Sequence, residues 1–172
     1  MTAASQDERL GAVLAELARL EESAKYSAQG QFEAAKTWRV INWLVGITAA
    51  TCAGTGGVLT FTSGHLQIAA GVLALTGAAF AAAQAVLRPA RAASEAHQAG
   101  TAYLAIQGDA RRARTVERHF GDDAELKRRL DTLAGQVKEA NRLAGTIPGF
   151  AYRRAKKNIA AGGQTHEAER DD

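Results

Sequence analysis

Four threonines, Thr48, Thr51, Thr55 and Thr62, are separated by 3, 4 and 7 residues. At 3.6 residues per turn they fall within about 60° of one helix face. Hydroxyls in such a row can line a narrow wet path between several copies of the helix. Each can equally bond the backbone carbonyl one turn back, and is then silent. The second chemically capable group is cationic: Arg111, Arg112, Arg114 and Arg118, with Lys127, Arg128 and Arg129 nearby in sequence. Guanidinium forks suit phosphate, so a nucleotide or short oligonucleotide is one ligand for this group. The other reading is the ordinary basic excess of a chain held near anionic lipid. A last cluster, Arg153, Arg154, Lys156 and Lys157, leans toward the lipid surface. From Arg88 to Gly163 there are 15 Lys or Arg against 8 Asp or Glu, a surplus of 7 hidden by the overall net charge of +3.

Catalysis finds little support. There is no G-x-S-x-G elbow, P-loop, H-E-x-x-H or Cys–His pairing, and no close carboxylate pair in an apolar setting. Asp122 and Asp123 are explained by helix capping. The single cysteine, Cys52, excludes an intrachain disulfide framework, and four scattered His give no zinc module. No catalytic residue, metal or cofactor is expected, and Cys52 reads as a small buried apolar residue.

The elements that must position these groups follow from the uneven charge. The 48 residues from Val40 to Leu87 contain no Asp, Glu, Lys or Arg, where an average stretch would hold about ten. Two apolar segments, 40–61 and 65–87, lie either side of Thr62, Ser63 and Gly64. Each is about 33 Å long as a helix, enough to cross a hydrocarbon core of about 30 Å. A transmembrane hairpin is therefore expected. Lys36 and Arg39 precede it and Arg88 and Arg91 follow it, so both termini should be cytoplasmic. Trp38 and Trp43 would anchor the first span at the interface, with Arg39 and Arg88 at the membrane surface. The first twenty residues carry Asp7, Glu8, Arg9, Glu16 and Arg19 with no unbroken apolar core, so the hairpin itself should direct insertion.

Small residues make these spans weakly apolar. The second is alanine-rich, and the first has Ala50, Gly54 and Gly57 on one stripe. Small residues let helix backbones approach closely, either between copies or within one hairpin. Asn42 and Gln84, near the same end, can bond across the helices.

Outside the hairpin the pattern is helical. Residues 5–38 read as one long helix running into the first span, with Gly30 its only weak point. After Pro89 a second helix should reach about Phe120. Asp122 with Glu125 reads as a capping box that opens a third. That helix carries Leu126, Leu130, Leu133, Val137, Ala140 and Ala144, a 4-3-4-3-4 seam that wants a helical partner. A short basic helix from Gly149 to Ile159 and a polar tail over 160–172 complete the chain.

Three stretches carry a family resemblance. Tyr26-Ser-Ala-Gln-Gly-Gln-Phe-Glu-Ala-Ala-Lys-Thr-Trp-Arg39 precedes the hairpin. His97-Gln-Ala-Gly-Thr-Ala-Tyr-Leu-Ala-Ile106 follows it, and Ile147-Pro-Gly-Phe-Ala-Tyr-Arg-Arg-Ala155 comes late. Their order over about residues 10–158 resembles the SLATT family. The resemblance implies a two-transmembrane effector of bacterial antiphage defence that oligomerises and perforates the inner membrane of an infected cell. It also implies a nucleotide signal, made by a nucleotidyltransferase encoded nearby. The family offers no established catalytic residues to carry over. On the residues alone, Tyr26, Phe32 and Trp38 serve to pack the first helix against the one bearing His97 and Tyr103, which can pair across that contact.

The expectation is thus an all-α membrane protein: a two-helix transmembrane hairpin with long cytoplasmic helices, packed as a homo-oligomeric helical bundle of four copies. Its segments are 1–39, 40–87, 88–159 and 160–172. Thr48, Thr51, Thr55 and Thr62 would line a pore, and the 111–129 cations would take the signal. The competing reading is a non-conducting membrane scaffold that recruits a partner through its C-terminal helices.

Overall fold

The computed structural model describes residues 3–61, 66–120 and 122–144. All of the secondary structure among them is helical. In chain order the elements are α1 (Ala3–Leu59), α2 (Leu66–Leu87), α3 (Pro89–Arg112), a π-helical segment π1 (Ala113–Glu117), α4 (Arg118–Phe120) and α5 (Asp123–Leu143). The expected basic helix at 149–159, the tail, Thr62 and the cluster Arg153, Arg154, Lys156 and Lys157 lie outside the described residues. The chain divides into a bundle unit, from Met1–Ala34 and Glu95–Asp172, and a hairpin unit, Ala35–Ser94.

The bundle unit has a conventional core. Leu17, Ala24 and Ala28 of α1 meet Ala99, Tyr103, Ile106 and Ala110 of α3 and Ala113 of π1. The α5 seam closes it: Leu126, Leu133 and Ala140, a heptad apart, are buried, while Leu130, Val137 and Ala144 are half-buried beside them. The partner that this seam wants is therefore the chain's own first and third helices. Alanine at so many facing positions lets the helices lie close, and Gly100 carries this furthest. A Cβ there would stand 2.8 Å from Cε1 of Phe32. The Phe32 ring in turn lies 5.5 Å from that of His97, centroid to centroid. Phe32 thus does the packing expected of it. His97 pairs across the contact with the first helix, whereas the Tyr103 hydroxyl donates to Asn141 Oδ1 of α5 at 2.5 Å.

α5 begins where its sequence says, but not by the expected device. Asp122 is the N-cap residue, extended at φ −82° and ψ 150°, and its side chain makes no capping bond. Its backbone carbonyl accepts from the amides of Glu125 and Leu126. The Glu125 carboxylate that should reach back is instead paired with Arg128 at 2.7 Å. An i, i+3 cation outcompetes the reciprocal bond of a capping box.

In the hairpin unit the end of α1 packs antiparallel on α2. A Cβ on Gly56 would meet Ala74 N at 2.9 Å and Ala70 O at 3.0 Å; one on Gly77 would meet Ala53 N at 2.8 Å and Ala49 O at 3.1 Å. Near the other end of the pair, Gln84 Nε2 donates to Asn42 Oδ1 at 3.2 Å, the cross-helix bond that the sequence suggests. The expected stripe Ala50, Gly54 and Gly57 is not the one used. All three are exposed, and nothing stands within 4 Å of a Cβ built on Gly54 or Gly57. The two stripes differ by about a quarter turn, and composition does not distinguish them.

α2 gives way to α3 at Arg88, whose φ is 44°. Proline disfavours the helical region for the residue before it, so Arg88 cannot simply continue α2. It takes the left-handed region, still donating its amide to Gln84 O, and its carbonyl accepts from Arg91 and Ala92. Pro89, fully buried, opens α3, where a missing amide costs nothing.

Candidate functional site

The hairpin unit presents its large side chains outward. Among the described residues, every exposed large hydrophobic except Leu104 and Val116 lies between Val40 and Leu87; Trp43 is 66% exposed, Ile68 78%, Leu75 74% and Val86 81%. What its described residues bury is small: Ala35, Ala49, Ala70 and Ala93, with Gly56, Gly77 and Pro89. Among the described residues, one helix, beginning at Leu66, is long and apolar enough to cross a membrane, and only 11% of its apolar window is buried. The α1 half of the pair is diluted by Asn42, three threonines and four glycines, and does not reach that hydropathy.

The threonine row takes its place from the α1–α2 contact. Ala49, Ala53 and Gly56 face α2. By helical periodicity Thr48, Thr51 and Thr55 then lie on the far side of α1. Thr51 and Thr55 are exposed there. Thr48 spends its hydroxyl on Leu44 O at 2.8 Å, so one of the four follows the silent course. Thr60, outside the expected row, bonds Gly57 O and tightens the end of α1. Of the expected surface residues, Trp38 is half-buried, while Arg39, Trp43 and Arg88 are exposed. Cys52 is half-buried.

The seven cations of the 111–129 group are not gathered into one site. Arg111 and Arg114 line a cavity of about 310 Å³ in the bundle unit, together with Lys25, Glu21, Glu22 and Gln107. Arg114, on π1, donates from Nε to Glu21 Oε2 at 3.1 Å, with a second nitrogen, Nη2, 3.1 Å from the same oxygen. Arg112 turns away, to Asp109 at 3.9 Å. Arg129 of α5 lies 3.7 Å from Asp109 and 3.8 Å from Glu117, tying α5 to α3 and π1. Its Nε is enclosed without a hydrogen bond. Arg118 donates to His119 Nε2 and Arg128 to Glu125. Lys127 lines a second, more apolar cavity of about 550 Å³ with Arg9, Leu10, Val13, Asp122 and Asp123.

Three features of the bundle had no signal in the sequence. The π-helical turn at Ala113–Glu117 interrupts what periodicity reads as one helix, and such turns mark functional sites more often than chance. Gln29, Gln31 and Glu33 are buried, within the stretch from Tyr26 to Arg39. Gln107 has its Oε1 enclosed with no hydrogen-bond partner, an arrangement that burial normally penalises. Elsewhere in the bundle, burial pushes the Tyr103 phenol above its ordinary value. On α5 the hydrogen bond from Arg142 holds the Glu139 carboxyl below its usual range. Compared with known proteins, the chain matches no family model, no curated protein sequence and no solved structure.

Proposed function

We propose that this chain is a membrane protein whose hairpin crosses the lipid bilayer and assembles with further copies into a gated pore. The observation that carries the reading is the inverted hairpin unit, with alanine and glycine inside and Trp, Leu, Ile, Val and Phe outside. Lipid is the cover such a surface requires. The threonine face of α1, turned away from α2, is the side on which a neighbouring copy's first span would sit. The greater polarity of that span suits a place inside an assembly rather than against lipid. Pore lining then rests on Thr51 and Thr55, since Thr48 is spent on its own backbone. The positive residues Lys36, Arg39, Arg88 and Arg91 at the span ends put both termini in the cytoplasm, with the bacterial inner membrane as host. The SLATT-like order of motifs supports an antiphage effector that depolarises the infected cell when a nucleotide signal reaches the cytoplasmic helices. Four copies remains the working number.

The test is ion flux through purified protein in liposomes. The double substitution Thr51→Leu with Thr55→Leu should cut flux at least tenfold or change ion selectivity, while insertion is unaltered. Unchanged flux removes the threonines from the path. A total absence of flux from the native protein would favour the non-conducting scaffold, although the seam from Leu126 to Ala144 that a scaffold would offer is already covered by the chain's own helices.

A further inference from the structure

The seam between the two helices of the hairpin unit ends in a pair of arginines. On α1 the positions that meet α2 are Asn42, Gly46, Ala49, Ala53 and Gly56, at alternating steps of four and three. One further step of three, back from Asn42, reaches Arg39. On α2 the meeting positions include Ala70, Ala74, Gly77 and Gln84, and one further step of four reaches Arg88. The Arg88 amide still donates to Gln84 O at 3.0 Å, so its Cα continues the path of α2. Because Asn42 and Gln84 are bonded to each other, Arg39 and Arg88 hold corresponding positions on the two helices, one turn outside that bond.

The unit supplies no counter-charge for this pair. Residues 35–94 contain no Asp or Glu. Their other two cationic side chains, Lys36 and Arg91, have interactions of their own. Arg39 and Arg88 are exposed, and neither side chain forms an ion pair or hydrogen bond among the described residues. Arg88 also sits at a φ of 44°, where any side chain is strained. Strained positions of this kind cluster at ligand clamps.

We infer that Arg39 and Arg88 clamp the headgroup of one anionic phospholipid at this end of the seam. The inference rests on the bilayer reading of residues 40–87 above. A phosphodiester carries one negative charge and two unesterified oxygens, one for each guanidinium, and both hydrogen bonds are charge-assisted. Its charge also relieves the repulsion between the two cations. A phospholipid fits better than a free phosphate, because the surface beside the arginines is apolar. Val40, Trp43, Val86 and Leu87 are exposed within one turn of them, and acyl chains would cover these side chains. An anionic headgroup fits better than a zwitterionic one, whose ammonium would bring a third cation to the pair.

The experiment reads the fluorescence of Trp43 in the full chain, in a Trp38→Phe background, within phosphatidylcholine vesicles holding a small fixed fraction of phosphatidylglycerol. Bromine on the acyl chains, which quenches tryptophan at contact, is carried by one lipid at a time. Brominated phosphatidylglycerol should quench saturably at one lipid per chain, with at least tenfold preference over brominated phosphatidylcholine. Arg39→Gln and Arg88→Gly should each cut that preference at least threefold. Arg88→Gly relieves the positive φ, so misfolding does not account for its loss. Lys36→Gln removes a cation from the same unit and should leave the preference within twofold. Millimolar glycerol 3-phosphate, the headgroup chemistry without chains, should not relieve the quenching. Equal quenching by the two lipids overturns the clamp and leaves the hairpin in the bilayer; no quenching by either removes both readings. A loss in Lys36→Gln as large as in Arg39→Gln overturns the clamp in favour of diffuse surface charge. Relief by glycerol 3-phosphate overturns it by assigning the arginines to a soluble phosphate.

Discussion

Gly77→Ala adds one methyl group at the tightest helix contact in the hairpin unit. The new Cβ would lie 2.8 Å from Ala53 N, 3.1 Å from Ala49 O and 3.2 Å from Ala53 Cα. All three are backbone atoms, so no side chain can swing aside. Reaching an ordinary separation requires the helices to part by about 0.7 Å at that point. A gap of that size forfeits a quarter to a half of the dispersion energy of the neighbouring contacts, and overpacking of this kind costs about 1–3 kcal/mol. Gly56→Ala meets Ala74 N at 2.9 Å and should cost a similar amount. The double variant should cost less than the sum, because one separation relieves both clashes. Gly54→Ala and Gly57→Ala, with nothing within 4 Å, should stay within about 0.5 kcal/mol of the parent. The assay is unfolding by SDS in mixed micelles, read by energy transfer between probes at the exposed positions Thr51 and Leu75 in a Cys52→Ala background. Helices persist in SDS, so the higher helix propensity of alanine cancels between the two states and the packing term is read alone. If Gly77→Ala proves as mild as Gly54→Ala, the antiparallel contact described for α1 and α2 is wrong.

Gly100→Ala should destabilise the bundle unit by about 1–3 kcal/mol through its clash with the Phe32 ring, and Phe32→Leu should recover part of the loss in thermal unfolding. Tyr103→Phe should cost about 1 kcal/mol, the worth of its bond to Asn141. Because burial raises the Tyr103 phenol, its contribution is complete below the ordinary phenol value of about 10 and is lost as pH rises through the raised one. Alkaline unfolding should therefore move to higher pH in the Phe variant relative to its own neutral stability. Arg88→Gly should be about 1 kcal/mol more stable than Arg88→Ala in denaturant titration, since only glycine takes the positive φ there without strain; equal stability would mean that the left-handed joint carries no strain.

Much of this arrangement is legible in the sequence because it follows from period and exclusion. The i, i+7 spacing of Leu126, Leu133 and Ala140 states which face of α5 is covered, and the structure covers it. Asn42 and Gln84 are polar residues near the same end of a charge-free hairpin, and they meet. What escapes is rotation. Ala49, Ala53 and Gly56 and the expected Ala50, Gly54 and Gly57 are all small and share one spacing, and only a partner decides between them. The arginine group fails as a single site for a related reason. Arg111 and Arg114, three apart, share a side of their helix, whereas Arg112 is turned about 100° from Arg111 and finds Asp109. The π turn then shifts the phase again before Arg118, and no local composition announces it.

The proposed lipid cover of residues 40–87 draws further support from what the hairpin unit does not bury. Ordering each residue of a chain costs about 1–2 kcal/mol of backbone entropy in water. A soluble domain offsets that by burying large side chains at about 1.5–3 kcal/mol each. The bundle unit does so with Leu17, Ile106, Leu126 and Leu133. Among its described residues the hairpin unit places only alanine, glycine and Pro89 in its interior and leaves Val58, Phe61, Ile68, Leu75 and Val86 outside. Contacts between small residues cannot carry the entropy of folding from a solvated coil. They are enough when the helices are already formed, with every backbone group bonded, and only have to associate. That is the condition a bilayer imposes. The close approach at Gly56 and Gly77 and the bond between Asn42 and Gln84 are the two kinds of contact that hold helices together there.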